Sequence, residues 1–261
     1  MDAKVAATAL WFAGTRGNSD LRSDLHRWHS CLLVECQGFR LLLDCGQDWL
    51  GRLGELQPDA ILITHAHPDH AWGLRDGAPC PVYATGITWQ NLDGLLKAHL
   101  QRNVVPMSEP FAVGPFACRA FALEHATVAP AVGYRLTAAG QNLFYCPDVA
   151  YIHERGSALA GVGLYIGDGA SVRRSLVRRR GSALIGHAAI TAQLTWCQKE
   201  GVPWAIFTHC GNEVIADHEA AQATVRAQAA ARGLRALIAH DGLCLDLPAG
   251  QEEPDHEGLP G

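Results

Sequence analysis

Four potential metal ligands stand within six residues of one another, directly after an apolar run. The run covers residues 60–64 (AILIT), a continuous apolar pattern typical of a strand that is buried on both faces. The four side chains that follow are those of His65, His67, Asp69 and His70. Imidazole and carboxylate groups suit Zn²⁺, Mn²⁺ or Fe. Because ligands collect at strand ends in α/β sheets, this segment favours folds that carry a metal site at such an edge.

The spacing of the four ligands predicts two neighbouring ions. Residues two apart in an extended segment point to the same side, so His65 and His67 are predicted to bind one ion together. Pro68 makes the chain change direction, and Asp69 and His70 beyond it are predicted to face a second ion. A polar loop that is rich in histidine by chance is the alternative. The H-x-H-x-D-H spacing after an apolar strand argues against it.

The remaining pattern predicts an α/β domain in which strands come first and alternate with helices later. Strands are predicted at 6–12, 31–36, 39–44, 60–64, 81–84, 116–123, 132–136, 142–146, 164–166, 204–208, 236–239 and 243–247. Apolar stripes predict helices over 92–100 and 190–200, and an Ala-rich segment predicts one over 213–232. Two mixed β-sheets between helices satisfy this order. The domain is expected to span 1–247, and the Gly-, Pro- and acid-rich segment 248–261 is expected to be a disordered tail.

Composition limits the classes of partner and the compartment. The formal net charge is -5, so the chain has no overall basic signature for nucleic acid. The nine cysteines include no C-x-x-C pair, which favours reduced, mostly buried thiols over a disulfide framework. No apolar run approaches the roughly 18 residues of a membrane span, and the first residues do not resemble a signal peptide. A cytoplasmic protein without a membrane partner is therefore expected.

The histidine-rich segment resembles the signature of the metallo-β-lactamase superfamily, and the resemblance extends along nearly the whole chain. It implies a four-layer αββα sandwich in which helices cover the outer faces of two mixed sheets. Residues 41–46 (LLLDCG) resemble the strand ending in D-x-G in that family, which implies that Asp44 supports the metal loop from behind. The resemblance further implies that His125 completes the first metal site, Asp148 bridges both metals and His209 completes the second. His240 competes with His209 for the last position.

Residues 185–211 resemble the phosphodiesterase branch of the superfamily, which includes ribonuclease Z and the cyclic-phosphate phosphodiesterase of phosphonate breakdown. Gly186-His187 matches a G-H turn of that branch, which makes His187 a candidate proton donor to the leaving group. The later AHDGL resembles the final hairpin of the branch and makes His240 a supporting or pocket residue instead of a ligand. His125 and Asp148 are 23 positions apart, so no long tRNA-gripping arm separates them.

Arginines are concentrated in residues 171–182 (SVRRSLVRRRGS), between the expected bridging Asp and His187. Arg173, Arg174 and Arg178 are candidate substrate-binding residues, because guanidinium forks match phosphate oxygens in pairs. A solvated helix face is an equally good interpretation of this segment.

The sequence thus predicts a hydrolase with two divalent metal ions, Zn²⁺ first and Mn²⁺ or Fe as alternatives. A metal-bridging hydroxide, oriented with the help of Asp69, is expected to attack a small cyclic or linear phosphodiester. The alternatives are a carbonyl-directed hydrolase of the same fold (a lactonase, β-lactamase or thioesterase) and a nuclease. A small phosphorylated molecule is favoured over nucleic acid as the partner, and a homodimer is compatible with the sequence. A non-catalytic binding module and an iron-dependent oxygenase fit the intact ligand set less well.

Overall fold

Short apolar strands pair into two large mixed sheets and one small ribbon. A computed structural model describes residues 8–97 and 99–247. Its strands are β1 Thr8–Gly14, β2 Cys31–Cys36, β3 Phe39–Leu43, β4 Ala60–Leu62, β5 Val82–Thr85, β6 Arg102–Val105, β7 Pro110–Val113, β8 Phe116–Glu124, β9 Ala131–Ala138, β10 Gln141–Tyr145, β11 Tyr151–Ile152, β12 Leu164–Asp168, β13 Arg178–Arg180, β14 Ala183–Ile185, β15 Trp204–Thr208, β16 Arg235–Ile238 and β17 Leu243–Leu247. Its α-helices are α1 Pro68–Ala71, α2 Gly86–Leu92, α3 Arg155–Leu159, α4 Ile190–Glu200, α5 Asn212–Ala216 and α6 His218–Ala230, with short 3₁₀ helices at Gln47–Trp49, Leu53–Leu56 and Trp72–Leu74.

Each large sheet has an antiparallel part and a parallel part. The first sheet has the strand order β17-β1-β2-β3-β4-β5-β6, with parallel pairing from β3 onward. The second has the order β11-β8-β9-β10-β12-β15-β16, with β7 paired to β8 and parallel pairing from β10 onward. The carboxyl ends of parallel strands share one edge of a sheet, so the loops that follow β4, β12 and β15 can approach each other.

Alternating side chains divide the core into three layers of apolar contacts. Leu41 and Leu43 of β3 pack between the two sheets, whereas Leu42 points to the outer face of the first sheet. On β12, Ile166 packs between the sheets and Tyr165 points to the outer face of the second. Helices cover both outer faces, so the period-2 pattern of the strands yields four layers. The predicted αββα sandwich of two mixed sheets is confirmed.

Two of the predicted helices are wrong in extent. The stripe over 92–100 predicted a helix, but α2 ends at Leu92, and Asp93-Gly94 form a turn. Leu92 and Leu100 are nevertheless buried in one cluster, so their spacing reflects a shared core and not a shared helix. The segment 213–232 forms two helices, because Asp217 leaves the helical conformation and its side chain accepts the Ala220 N–H as the cap of α6.

The two ends of the chain lie outside the described residues, and the tail expected at 248–261 is among them. Within 8–97 and 99–247, no helix combines the length and the apolar character needed to cross a bilayer.

Candidate metal centre

The seven candidate ligands, which come from separate strand ends, meet at one place between the two sheets. His65 and His67 follow β4, Asp69 and His70 lie in α1, His125 follows β8, Asp148 follows β10, and His209 follows β15. Their ligand atoms form two overlapping groups, each with all atoms within 4.8 Å of one another. The groups are His65, His67, His125 and Asp148, and Asp69, His70, Asp148 and His209.

Asp148 belongs to both groups and faces each with its carboxylate. Its Oδ2 lies 3.3 Å from Nε2 of His65 and 3.1 Å from Nε2 of His125. The same oxygen is 3.3 Å from Nε2 of His70, and Oδ1 is 2.8 Å from Nδ1 of His209. Nε2 of His209 also lies 2.9 Å from Oδ2 of Asp69. A carboxylate in this position is suited to join two ions.

Hydrogen bonds to the outer ring nitrogens turn three of the histidines toward the centre. Nδ1 of His70 donates to Asp44 at 2.8 Å, and Nδ1 of His125 donates to the Gly186 carbonyl at 3.2 Å. Nδ1 of His65 lies 3.0 Å from the Thr64 hydroxyl. Each bond occupies Nδ1 and leaves Nε2 facing the centre, which is how metal-binding histidines are usually held.

Unpartnered polar atoms in the buried centre show that the residues fit metal ions. Nε2 of His70, Oδ1 of Asp148 and Nδ1 of His209 are buried, and within the described residues none makes a hydrogen bond. Buried polar atoms are rarely left in this state unless an ion or ligand satisfies them. Oδ1 of Asp148 and Nδ1 of His209 approach to 2.8 Å without hydrogen-bond geometry, as two ligands of one ion do.

The charges around the centre shift the pKa values of the candidate ligands in different directions. Burial, and then the neighbouring His125, lowers the pKa of His67 to about 4, so this imidazole is neutral at pH 7. Burial alone would raise the pKa of Asp148, but His209, His125 and His70 lower it well below its usual value. Burial alone would lower the pKa values of His70 and His209, but neighbouring carboxylates, Asp148 first, raise both well above the ordinary value. A divalent metal requires neutral imidazoles, so its binding would release a proton from each of these two.

Asp44 supports the histidine segment from behind. Its fully buried carboxylate accepts the Thr64 N–H at 2.8 Å, the Thr64 hydroxyl and Nδ1 of His70, and the Tyr145 hydroxyl donates to it at 3.2 Å. The structure therefore gives Asp44 the supporting position that the resemblance implies. Asp44 adopts a φ of 58°, and this left-handed conformation is rare for a residue with a side chain.

Two glycines let the backbone approach the ligands closely. A Cβ on Gly46 would lie 2.3 Å from the Asp69 carbonyl oxygen, so the D-x-G turn packs directly beneath α1. A Cβ on Gly17 would lie 2.8 Å from Nε2 of His209. The loop after β1 thus packs against the last ligand, a contact that no local sequence pattern indicated.

Asp168 is a site residue that sequence reasoning missed. It ends β12, is fully buried, and its Oδ2 accepts Nδ1 of His187 at 2.8 Å and the Val149 N–H at 3.0 Å. Burial alone would lower the pKa of His187, but the Asp168 carboxylate and this bond raise it above the ordinary value. The sequence signal that could have revealed Asp168 is an acidic residue at the end of an apolar strand (LYIGD, 164–168). Asp44 has the same position, directly after the three leucines 41–43.

His240 does not take the supporting or pocket position that the sequence predicted. Its Nδ1 lies 3.0 Å from the backbone oxygen of Asp241, its ring contacts His218, and it is absent from the described residues that line the metal cavity. The neighbouring Asp241 has the structural role, because its carboxylate accepts the N–H groups of Thr15, Arg27 and Trp28. The AHDGL motif thus fixes the loop after β1 through its aspartate.

A cavity of about 580 Å³ opens above the ligands. His187 and Arg174 line it, together with Leu176, whereas Arg173 lines a separate pocket beside α6. Arg178 lies in β13, the exposed strand of the β13–β14 ribbon, so the arginine-rich segment is neither a helix face nor a single cluster. Of the three candidate arginines, the structure places only Arg174 at the cavity.

Solved structures share this architecture over most of the chain. The metallo-β-lactamase fold protein YhfI from Bacillus subtilis has a TM-score of 0.69 and 18% identity, and the match covers 91% of this chain and 98% of that one. A diphosphatase of the PhnP family has a TM-score of 0.69 and 20% identity, with 91% and 96% covered. The short form of human tRNase Z has a TM-score of 0.62 and 18% identity, with 92% and 99% covered. At these identities the likeness establishes the fold.

Curated relatives match shorter segments. The anti-Pycsar protein Apyc1 from Paenibacillus xerothermodurans is 44% identical over 61 residues, which are 22% of this chain and 24% of that protein. A ribonuclease Z from Bradyrhizobium diazoefficiens is 41% identical over 71 residues, which are 25% and 23% of the two proteins. The chain thus aligns with about a quarter of the length of each relative.

The family assignment rests on a longer match. The family model described as "Beta-lactamase superfamily domain" matches residues 39–210, well over half of the chain. The matched range contains D-x-G, the histidine segment and all seven candidate ligands. The fold, the order of these residues along the chain and this match agree: the chain belongs to the metallo-β-lactamase superfamily.

Proposed function

We propose that this protein is a binuclear metal-dependent phosphodiesterase that acts on a small cyclic or linear phosphodiester. The observation that carries the proposal is the pair of ligand groups that share Asp148 at the floor of an open cavity. The similarity to ribonuclease Z and to the PhnP-family diphosphatase supports phosphoester chemistry over the carbonyl-directed alternatives.

The ligand set is typical of two zinc ions. Five imidazoles, one terminal carboxylate and one shared carboxylate form the two groups, with Asp69 and His70 on the second ion. This mixture suits Zn²⁺ and also accepts Mn²⁺ or Fe. Two such ions would supply Lewis acidity toward a phosphoryl oxygen and would lower the pKa of bound water to about 7.

The protein's own groups orient the substrate and move protons. Asp69, with Oδ2 directed at His209, is positioned to orient the attacking water as well as to bind metal. Arg174 at the cavity rim is positioned to offset charge on a non-bridging phosphate oxygen. With Nδ1 bonded to Asp168, His187 has Nε2 left to donate a proton to the leaving alkoxide.

The proton-donor role predicts a large loss of turnover without loss of metal. Replacing His187 by alanine is expected to lower kcat by about 10²–10⁴-fold, the usual contribution of a positioned acid. Metal content is expected to stay at two ions per chain, because both groups of the seven candidate ligands remain complete without His187, which lies in a third group with Asp148, Asp168 and His209. Steady-state kinetics and elemental analysis on the same preparation measure both quantities. A variant with full metal content and unchanged turnover would exclude this role.

Hydrolysis of bis(p-nitrophenyl) phosphate by the purified protein with added Zn²⁺ or Mn²⁺ tests the proposed function. Nitrocefin and a simple lactone run in parallel, with metal-stripped protein as the control. We expect metal-dependent release of p-nitrophenolate from the phosphodiester. Turnover of a carbonyl substrate alone would retain the metal centre and contradict the phosphodiesterase assignment.

The compartment and the oligomeric state remain predictions. The nine cysteines are free thiols, seven of them buried, which supports the cytoplasmic location expected from the sequence. The homodimer is a prediction that a sedimentation measurement would decide.

A further inference from the structure

A polar groove of about 420 Å³ adjoins the metal cavity. Every described residue that lines it is polar or charged, in contrast to the metal cavity, where Leu176 and Ala170 contribute to the wall. Asn18 and Ser19 line both spaces, so a two-residue ridge separates them. A substrate that reaches from the metal centre across this ridge enters the groove.

Buried charges hold the ridge in a fixed position. The Arg16 side chain is 2% exposed, and its guanidinium donates to Asp48, to the Arg27 carbonyl and to the Ser19 carbonyl. Asp48 also accepts the His29 N–H at 3.0 Å. A buried arginine is stable only with partners for its donors, so this network fixes the backbone around it. Buried interactions therefore hold the backbone that lines the groove in one conformation, unlike a gap between exposed loops.

The charges in the groove balance each other. Arg16 and Arg22 both donate to Asp48, and the exposed Asp20 supplies a second negative charge. Two cationic and two anionic side chains leave little attraction for a second phosphate. The groove thus differs from the cavity rim, where Arg174 has no ion-pair partner among the described residues.

Two exposed amides and the Asp20 carboxylate are free to form hydrogen bonds in the groove. The side chains of Asn18 and Gln47 are exposed, and neither makes a hydrogen bond within the described part of the chain. Each amide offers two donors and an acceptor. Such groups suit a neutral partner that itself donates and accepts, such as sugar hydroxyls or the polar edge of a heterocycle.

We propose that this groove is a subsite for a neutral, hydrogen-bonding arm of the substrate, of the nucleoside or sugar type, attached to the phosphate at the metal centre. The inference rests on the proposed phosphodiesterase function and adds the class of group that the substrate carries. Asn18 and Gln47 contact the arm, and Arg16 is a positioning residue that acts through the ridge.

Two chromogenic esters with the same leaving group test the subsite. Thymidine 5′-(p-nitrophenyl phosphate) carries a nucleoside arm, and phenyl p-nitrophenyl phosphate carries an apolar ring. We expect kcat/KM for the nucleoside ester to exceed that for the phenyl ester by about tenfold or more. In the double variant Asn18→Ala/Gln47→Ala, the ratio of the two values is expected to fall about tenfold, the size of two hydrogen bonds between neutral groups.

The control is Gln90→Ala, which removes an exposed amide from α2, outside the groove, and is expected to keep the wild-type ratio. Metal content is measured for each variant, so that a disturbed metal loop is recognised. A wild-type ratio near one, or a ratio that the double variant does not change, would overturn the subsite while the phosphodiesterase stands. Absence of turnover for both esters would overturn the proposed function and the subsite with it.

Discussion

Replacing Asp148 by alanine is expected to remove activity and at least one of the two metal ions. Its carboxylate faces His65, His70 and His125 with one oxygen and His209 with the other, so both ligand groups lose a member. Metal stabilisation of charge is worth several kcal/mol, and each 1.36 kcal/mol is a factor of ten. We therefore expect kcat/KM on the phosphodiester to fall by at least about 10³-fold, measured beside metal content by elemental analysis.

The matched control for this variant is Asp246→Ala, because Asp246 is an exposed carboxylate on β17, on the far edge strand of the first sheet. It is expected to retain two ions and full turnover. If the Asp148 variant bound two ions as tightly as the wild type, the bridging role of Asp148 would be wrong.

Replacing Asp44 by alanine is expected to give the largest loss of stability. The change leaves the buried donors of Thr64, His70 and Tyr145 without an acceptor. Both Asp44 and His70 have fully buried side chains, and breaking a buried charged pair costs about 3–5 kcal/mol. Urea unfolding of the metal-stripped variant measures this loss in the free energy of unfolding. Metal affinity is expected to fall by about 10–100-fold, because Asp44 orients His70.

Asp59→Ala provides the comparison, since its exposed carboxylate accepts a single backbone N–H, that of Arg40 at 2.8 Å. We expect it to lose about 1 kcal/mol or less, the net value of one hydrogen bond. Equal losses in the free energy of unfolding of the two variants would show that the buried Asp44 network stabilises the protein no more than one exposed hydrogen bond does.

The order of apolar runs along the chain predicted the strands of the two sheets, because each strand forms from a short run of neighbouring residues. The pairing of β2 with β3 follows from Gln37-Gly38 between two apolar runs, and their bounds agree with the structure to within one residue. The ligand candidates could be recognised for a related reason. His125, Asp148 and His209 each follow a buried strand, and the fold gathers such positions at one edge.

Contacts between distant segments decided the rest. The bond from His187 to Asp168 and the packing of Gly17 against His209 join residues that no periodicity connects. The break at Asp217 was hidden because Ala-rich composition favours helix on both sides of it. The sequence by itself determined the strand pattern and the candidate metal ligands, because each strand is a short run of neighbouring residues and each candidate follows the end of one. Only the tertiary structure decided which groups orient those side chains and which polar groove lies beside them, because hydrogen bonds and packing act between surfaces that meet after folding.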